Sequence, residues 1–143
     1  MKHFTGIFFV LLAFSLAFSA TGCSGNVSHY LPAVVGDYGI IVNMSLELAN
    51  GTGDTYISIY PSIGMATQES MKNALDYSFY SLGRDRGECD ARIKAQMDPQ
   101  SAGYIDGPSG GAAIAVMGIA ILNGKDLRKD AIITGEILPD GSV

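Results

Sequence analysis

The segment that most constrains the fold is residues 112–122, where every position is apolar or glycine. A helix built from such a run has no polar face to turn toward water, so it belongs at the centre of a domain. Its alanines and Gly118 allow neighbouring backbone to come close. The rest of the chain must then cover this helix on its sides. With 143 residues there is room for one domain that does so.

The flanking sequence supplies covering elements of both kinds. Residues 40–48 alternate apolar and polar toward their end and read as a strand. Asn50-Gly51-Thr52-Gly53-Asp54 is turn chemistry, and residues 55–60 alternate again, which predicts a hairpin that Pro61 ends. From Thr67 the period becomes helical, with Met71, Ala74, Leu75, Ser78, Phe79 and Leu82 on one face. Thr67 and Ser70 offer capping oxygens near its start, and Gly83 suits its end. Residues 84–88 read as a solvated loop. In residues 91–97, Ala91, Ile93, Ala95 and Met97 share one strand face and Arg92, Lys94 and Gln96 the other. Residues 98–107 are expected as a loop, Ser109 or Gly110 as the opening of the apolar helix, and Asn123-Gly124 as its stop. A strand over 130–137 and a turn at Leu138-Pro139-Asp140-Gly141 complete an α+β domain.

The first 22 residues are of another kind. After Lys2 no charged side chain occurs until Asp37, and residues 4–20 form an apolar stretch closed by Ala20-Thr21-Gly22, a small-x-small cleavage pattern. This reads as a signal peptide or membrane anchor over 1–22, with the protein exported and either secreted or attached to the extracytoplasmic face of a membrane. Cys23 follows at once, as the lipid-bearing cysteine of a lipobox does, and is a candidate for lipid attachment. The alternative is a disulfide with Cys89, the other of the two cysteines. Residues 23–32 are small and polar and read as a tether, with the domain occupying 33–143.

Composition removes several functions. Nine basic against 14 acidic side chains give a net charge of −5, which argues against a nucleic-acid partner. The only histidines, His3 and His29, lie in or just after the leader. Neither a metal site nor a histidine-assisted nucleophile is expected, and no cofactor motif is present. Gly107-Pro108-Ser109-Gly110-Gly111 fits G-x-S-x-G, but no histidine follows it, so the α/β-hydrolase arrangement fails. Gly124-Lys125-Asp126 lacks the spacing and the Ser/Thr of a phosphate loop.

Ser109 nonetheless stands where unpaired N–H groups and the helix dipole would stabilise an oxyanion. Serine is equally a common helix cap, and capping explains the hexapeptide alone as well as catalysis does. Without histidine, the base for such a serine is a desolvated lysine.

Two ordered blocks go further. Asp106-Gly107-Pro108-Ser109-Gly110-Gly111-Ala112-Ala113, and Leu127 to Ile137 containing Thr134-Gly135-Glu136, resemble the proteolytic domain of Lon-type serine peptidases, most closely the secreted or membrane-attached archaeal branch. The resemblance implies a mixed sheet with packed helices and Ser109 as nucleophile. It also implies supporting roles for Asp106, Gly110 (alanine in most of the family), Thr134 and Glu136. The reaction it implies is ATP-independent endopeptidase cleavage of peptides or unfolded proteins by a Ser-Lys dyad through an acyl-enzyme. Homo-oligomers are implied as well. The family's lysine lies some forty-odd residues beyond the serine. Only 34 residues follow Ser109 here, so the resemblance implies a domain whose C-terminal part is missing, with weak or absent activity. Lys125 and Lys129 do not occupy the family position and read as solvated charges. The alternative function is a membrane-tethered lipoprotein that binds peptides or a partner in the same cleft without catalysis.

Overall fold

The computed structural model describes residues 22–60, 62–97 and 104–143, so the leader, Pro61 and part of the loop expected over 98–107 lie outside the described residues. The described chain is α+β: a four-stranded mixed sheet with two helices. In chain order, β1 is Gly25–Val35, β2 Tyr38–Asn50, β3 Thr55–Tyr60, α1 Met65–Tyr80, β4 Cys89–Gln96 and α2 Gly111–Leu122. A single 3₁₀ turn, Pro108–Gly110, leads into α2.

The sheet order is β1-β2-β4-β3. β1 and β4 flank β2 antiparallel, while β3 runs parallel to β4 at the edge. Strand alternation separates the two faces as β geometry requires. Val42, Met44, Leu46 and Leu48 of β2 and Ala91, Ile93 and Ala95 of β4 are buried with Met71, Leu75 and Phe79 of α1 and Ile114 and Met117 of α2 in one core. Arg92, Lys94 and Gln96 lie on the opposite face, as their spacing predicts.

α2 is buried nearly all round, and Asn123-Gly124 stops it, with Gly124 at φ +59°. It crosses α1 at Gly118, where an added Cβ would stand 2.8 Å from the Ser78 Cβ. The buried Ser78 hydroxyl bonds the Ala74 carbonyl at 2.8 Å and the Ala115 carbonyl of α2 at 3.0 Å. Glycine is therefore needed here for close helix approach.

Five expectations are corrected. Residues 23–32 are not a tether, because Gly25–Val35 is a strand paired along its length with β2 through the turn at Gly36, φ +59°. The polar residues Asn26 and Ser28 are its outward half, while His29 and Leu31 are buried, so the domain begins before residue 33. β2 and β3 are both strands but do not form a hairpin, since β4 lies between them. Residues 130–137 are not a strand, although the turn at 138–141 is present, with the Gly141 N–H on the Leu138 carbonyl at 2.8 Å. The loop over 84–88 is not wholly solvated: Arg86 ion-pairs with Asp76 and hydrogen-bonds the Thr55 hydroxyl, its side chain only 13% exposed. Finally, α1 begins at Met65 from Gly64, and neither Thr67 nor Ser70 caps it.

Cys23 and Cys89 form a disulfide, Cα atoms 5.4 Å apart, tying the chain ahead of β1 to the start of β4. A sulfur in that bond is not free to carry a thioether-linked lipid. Closing a loop of 66 residues restricts the unfolded chain by about 4 kcal/mol in the entropic account. Among the described residues no helix is long and apolar enough to cross a membrane.

Candidate active site

The serine loop is held between two helix ends. α1 starts at a glycine that offers no side-chain acceptor, so its first N–H groups need one from elsewhere. Asp106 supplies it: its Oδ1 accepts the Thr67 N–H at 3.1 Å and also the Gly107 N–H at 3.0 Å. The carboxylate thus sits at the positive end of the α1 dipole, where a negative charge is stabilised. Tyr104 donates its hydroxyl to Asp106 Oδ2 at 3.4 Å.

The hydroxyls read as helix caps serve instead as clasps. Thr67 Oγ1 donates to the Gly107 carbonyl and accepts the Gly107 N–H, both at 3.0 Å. One turn on, Ser70 Oγ donates to the Pro108 carbonyl at 2.7 Å. Gly107, at φ +139°, takes a conformation that a side chain would resist. Ser109 is thereby presented on an exposed one-turn lead-in to a buried helix.

The second block closes the other side. The Gly135 N–H and Thr134 Oγ1 donate to the Ser109 carbonyl at 2.7 and 3.2 Å, and the Ala112 N–H donates to the Gly135 carbonyl at 2.9 Å. Gly111 is pressed between the helices and this segment, its hypothetical Cβ 2.6 Å from Ser70 Oγ and 3.2 Å from the Ile137 nitrogen. Not every first-turn amide of α2 is free, then: Gly111 bonds the Pro108 carbonyl and Ala112 that of Gly135.

Two hollows meet at Ser109. An apolar one of about 50 Å³ is lined by Leu31, Met44, Ile59, Met71, Met97 and Ile105 under Ser109 and Gly110. A more open one of about 480 Å³ runs between Pro32, Val34 and Ile41 of the β1–β2 end and Asp106, Ser109 and Thr134.

Of the residues expected at the site, Asp106, Ser109, Gly110 and Thr134 are brought together. Glu136 is exposed and makes no hydrogen bond with them. Among the described residues the Ser109 hydroxyl has no hydrogen-bond partner, and no lysine reaches it. Lys125 lies past the far end of α2, which at 12 residues spans about 18 Å. Lys129 is exposed. In the stretch leading to Thr134, the Arg128 guanidinium, 2.6 Å away, holds the Asp130 carboxyl below the usual carboxylate range. No group of three His, Cys, Asp or Glu among the described residues is placed to hold a metal ion.

Sequence reading missed the clasping roles of Thr67 and Ser70. The available signal was two hydroxyls three residues apart, both on the buried face of α1. No family model matches the chain, and no curated protein matches it.

Proposed function

We propose that this chain is the Lon-type serine endopeptidase domain of an exported protein, with Ser109 as nucleophile. The observation that supports this most is the meeting of the two resembling blocks. Thr134 and Gly135 both hold the carbonyl of Ser109, 25 and 26 residues earlier in the chain. Blocks that resemble one family in order and separation also form one site, which helix capping alone does not require.

In this reading Ser109 Oγ attacks a peptide carbonyl carbon and its proton passes to a neutral lysine amine. The Ser109 N–H and the positive end of α2 would stabilise the developing oxyanion. Collapse breaks the C–N bond, the leaving amine takes the proton from the lysine, and water hydrolyses the ester. Asp106 positions the loop from the α1 end, and Thr134 from the other. Among the described residues no lysine reaches the Ser109 hydroxyl, so in this reading turnover by this chain is expected to be slow. A disulfide between Cys23 and Cys89 suits an oxidising compartment, in keeping with export.

The test is labelling by a fluorophosphonate probe alongside cleavage of a fluorogenic casein. Slow labelling that maps to Ser109 and disappears in Ser109→Ala supports the reading. Casein binding unchanged by Ser109→Ala, with no labelling at Ser109, would replace it with the non-catalytic peptide binder.

A further inference from the structure

Among the described residues the helices cover one face of the sheet and leave the other open. Register places its side chains in rows. In the middle row Ser28, Ser45, Lys94 and Ser58 stand side by side across the four strands. The next row along is Tyr30, Asn43, Gln96 and Tyr60. The short serines set this middle row below its neighbours, and the result is an open trough of about 590 Å³. That is within the size range of small-ligand sites.

The charges on this face are unequally used. Arg92 pairs with Glu47 at 3.1 Å and lies 5.8 Å from the centre of the Tyr56 ring. Asp90 accepts the Thr52 and Asp54 N–H groups at 2.8 and 3.1 Å. Lys94 is exposed, lines the trough, and has no ion-pair partner among the described residues. Among the described residues the trough therefore carries one positive charge without an ion-pair partner, surrounded by hydroxyls and amides that both donate and accept hydrogen bonds. Tyr60, about half exposed (54%), lines it at the β3 edge of the sheet, and Tyr30 (50%) stands at the β1 end of the same row as Tyr60.

We propose that this trough binds an acidic oligosaccharide, with Lys94 on a sugar carboxylate. Asn43, Gln96 and the serines meet vicinal hydroxyls, and Tyr60 offers a ring face to the sugar's C–H bonds. Four strands about 4.8 Å apart give a platform about 14 Å wide, room for two or three sugar rings. Charge complementarity selects this occupant. A single cation without an ion-pair partner among the described residues, on a chain of net charge −5, does not match the polyanionic backbone of a nucleic acid. An added peptide strand would need a sheet edge, whereas the trough lies on the face. The site is on the side of the sheet away from the core and does not depend on Ser109.

Isothermal titration of the intact, disulfide-bonded protein with trigalacturonate tests this, with maltotriose as the neutral probe and a dT₁₀ oligonucleotide as the polyanion. Trigalacturonate is expected to bind at least tenfold more tightly than maltotriose. Lys94→Gln should remove that preference, while Lys125→Gln and Ser109→Ala leave it intact. Lys94 is exposed, so its substitution should not affect folding, and an unchanged melting curve checks this. Equal binding of the two trisaccharides, no binding of trigalacturonate, tighter binding of the oligonucleotide, or a preference that survives Lys94→Gln would each overturn the proposal.

Discussion

The two helices begin alike and are finished differently. Both start from glycine with no side-chain cap, and both starts lie against the serine loop. At α1 the missing acceptor is a charged side chain, the Asp106 carboxylate on the Thr67 N–H. At α2 it is a neutral backbone carbonyl, that of Gly135 on the Ala112 N–H. A carboxylate cancels much of the positive potential at the end it caps, and a carbonyl leaves more of it. The difference keeps the positive end for the helix that presents Ser109 and directs the nearby acid to the other helix.

Crowding the α2 end should have the largest effect. Gly111→Val drives branched carbons into Ser70 and the Ile137 backbone, at a cost of about 3 kcal/mol. Urea unfolding should show it, and labelling of Ser109 should fall with it. Removing the α1 cap comes next. Asp106→Ala is expected to cost about 1–2 kcal/mol, as lost caps do. Asp106→Asn keeps an acceptor and should lose only about 0.5 kcal/mol through the missing charge. If the two variants were equal, charge would have no part in the contrast between the helix ends.

Thr134→Val removes one of the two donors to the Ser109 carbonyl and leaves the Gly135 N–H in place. About 1 kcal/mol is expected, with a smaller loss of labelling than in Asp106→Ala. The smallest effect concerns a third set of backbone donors. In the turn between β2 and β3, the Thr52 N–H, then that of Asp54, hold the Asp90 carboxyl below the usual carboxylate range. A depressed folded-state pKa contributes stability that is present above the unfolded-state value and lost as pH falls through the folded one. Thermal melts from about pH 6 down to about pH 2 should decline only in the acid limb, and more shallowly in Asp90→Asn.

Much of the architecture was legible, and the errors have a common origin. Alternation in β2 and β4 predicted which side chains face the core, because face is a local property of the strand. It did not predict partners. β3 follows β2 after a good turn, yet pairs with β4, whose Ala91, Ile93 and Ala95 are fully apolar toward the core and take the central position with β2. β1 was hidden because the alternation that Asn26, Val27 and Ser28 begin is broken by a polar His29 facing inward, by Tyr30 and Val34 facing outward, and by Pro32. The 130–137 segment looks like a strand in composition, but its Gly135 backbone bonds the start of α2 rather than a ladder.

For the site, the residue types were visible and their relations were not. Thr67 and Ser70 were read as caps for their own helix, since a hydroxyl near a helix start is a local cue. Their actual partners are 38 to 40 residues away.

By itself, the sequence determined that residues 112–122 would be a buried central helix, that Ser109 would stand at its head, and which faces of β2, α1 and β4 would be apolar. These follow from side-chain periodicity, which acts over a few residues. Only the tertiary structure decided that Asp106 caps α1, that Gly135 caps α2, that Cys23 meets Cys89, and that Lys94 stands between serines on the outer sheet face without an ion-pair partner among the described residues. Each of those joins groups far apart in the chain, and such pairs form only once burial of the core has brought their backbones together.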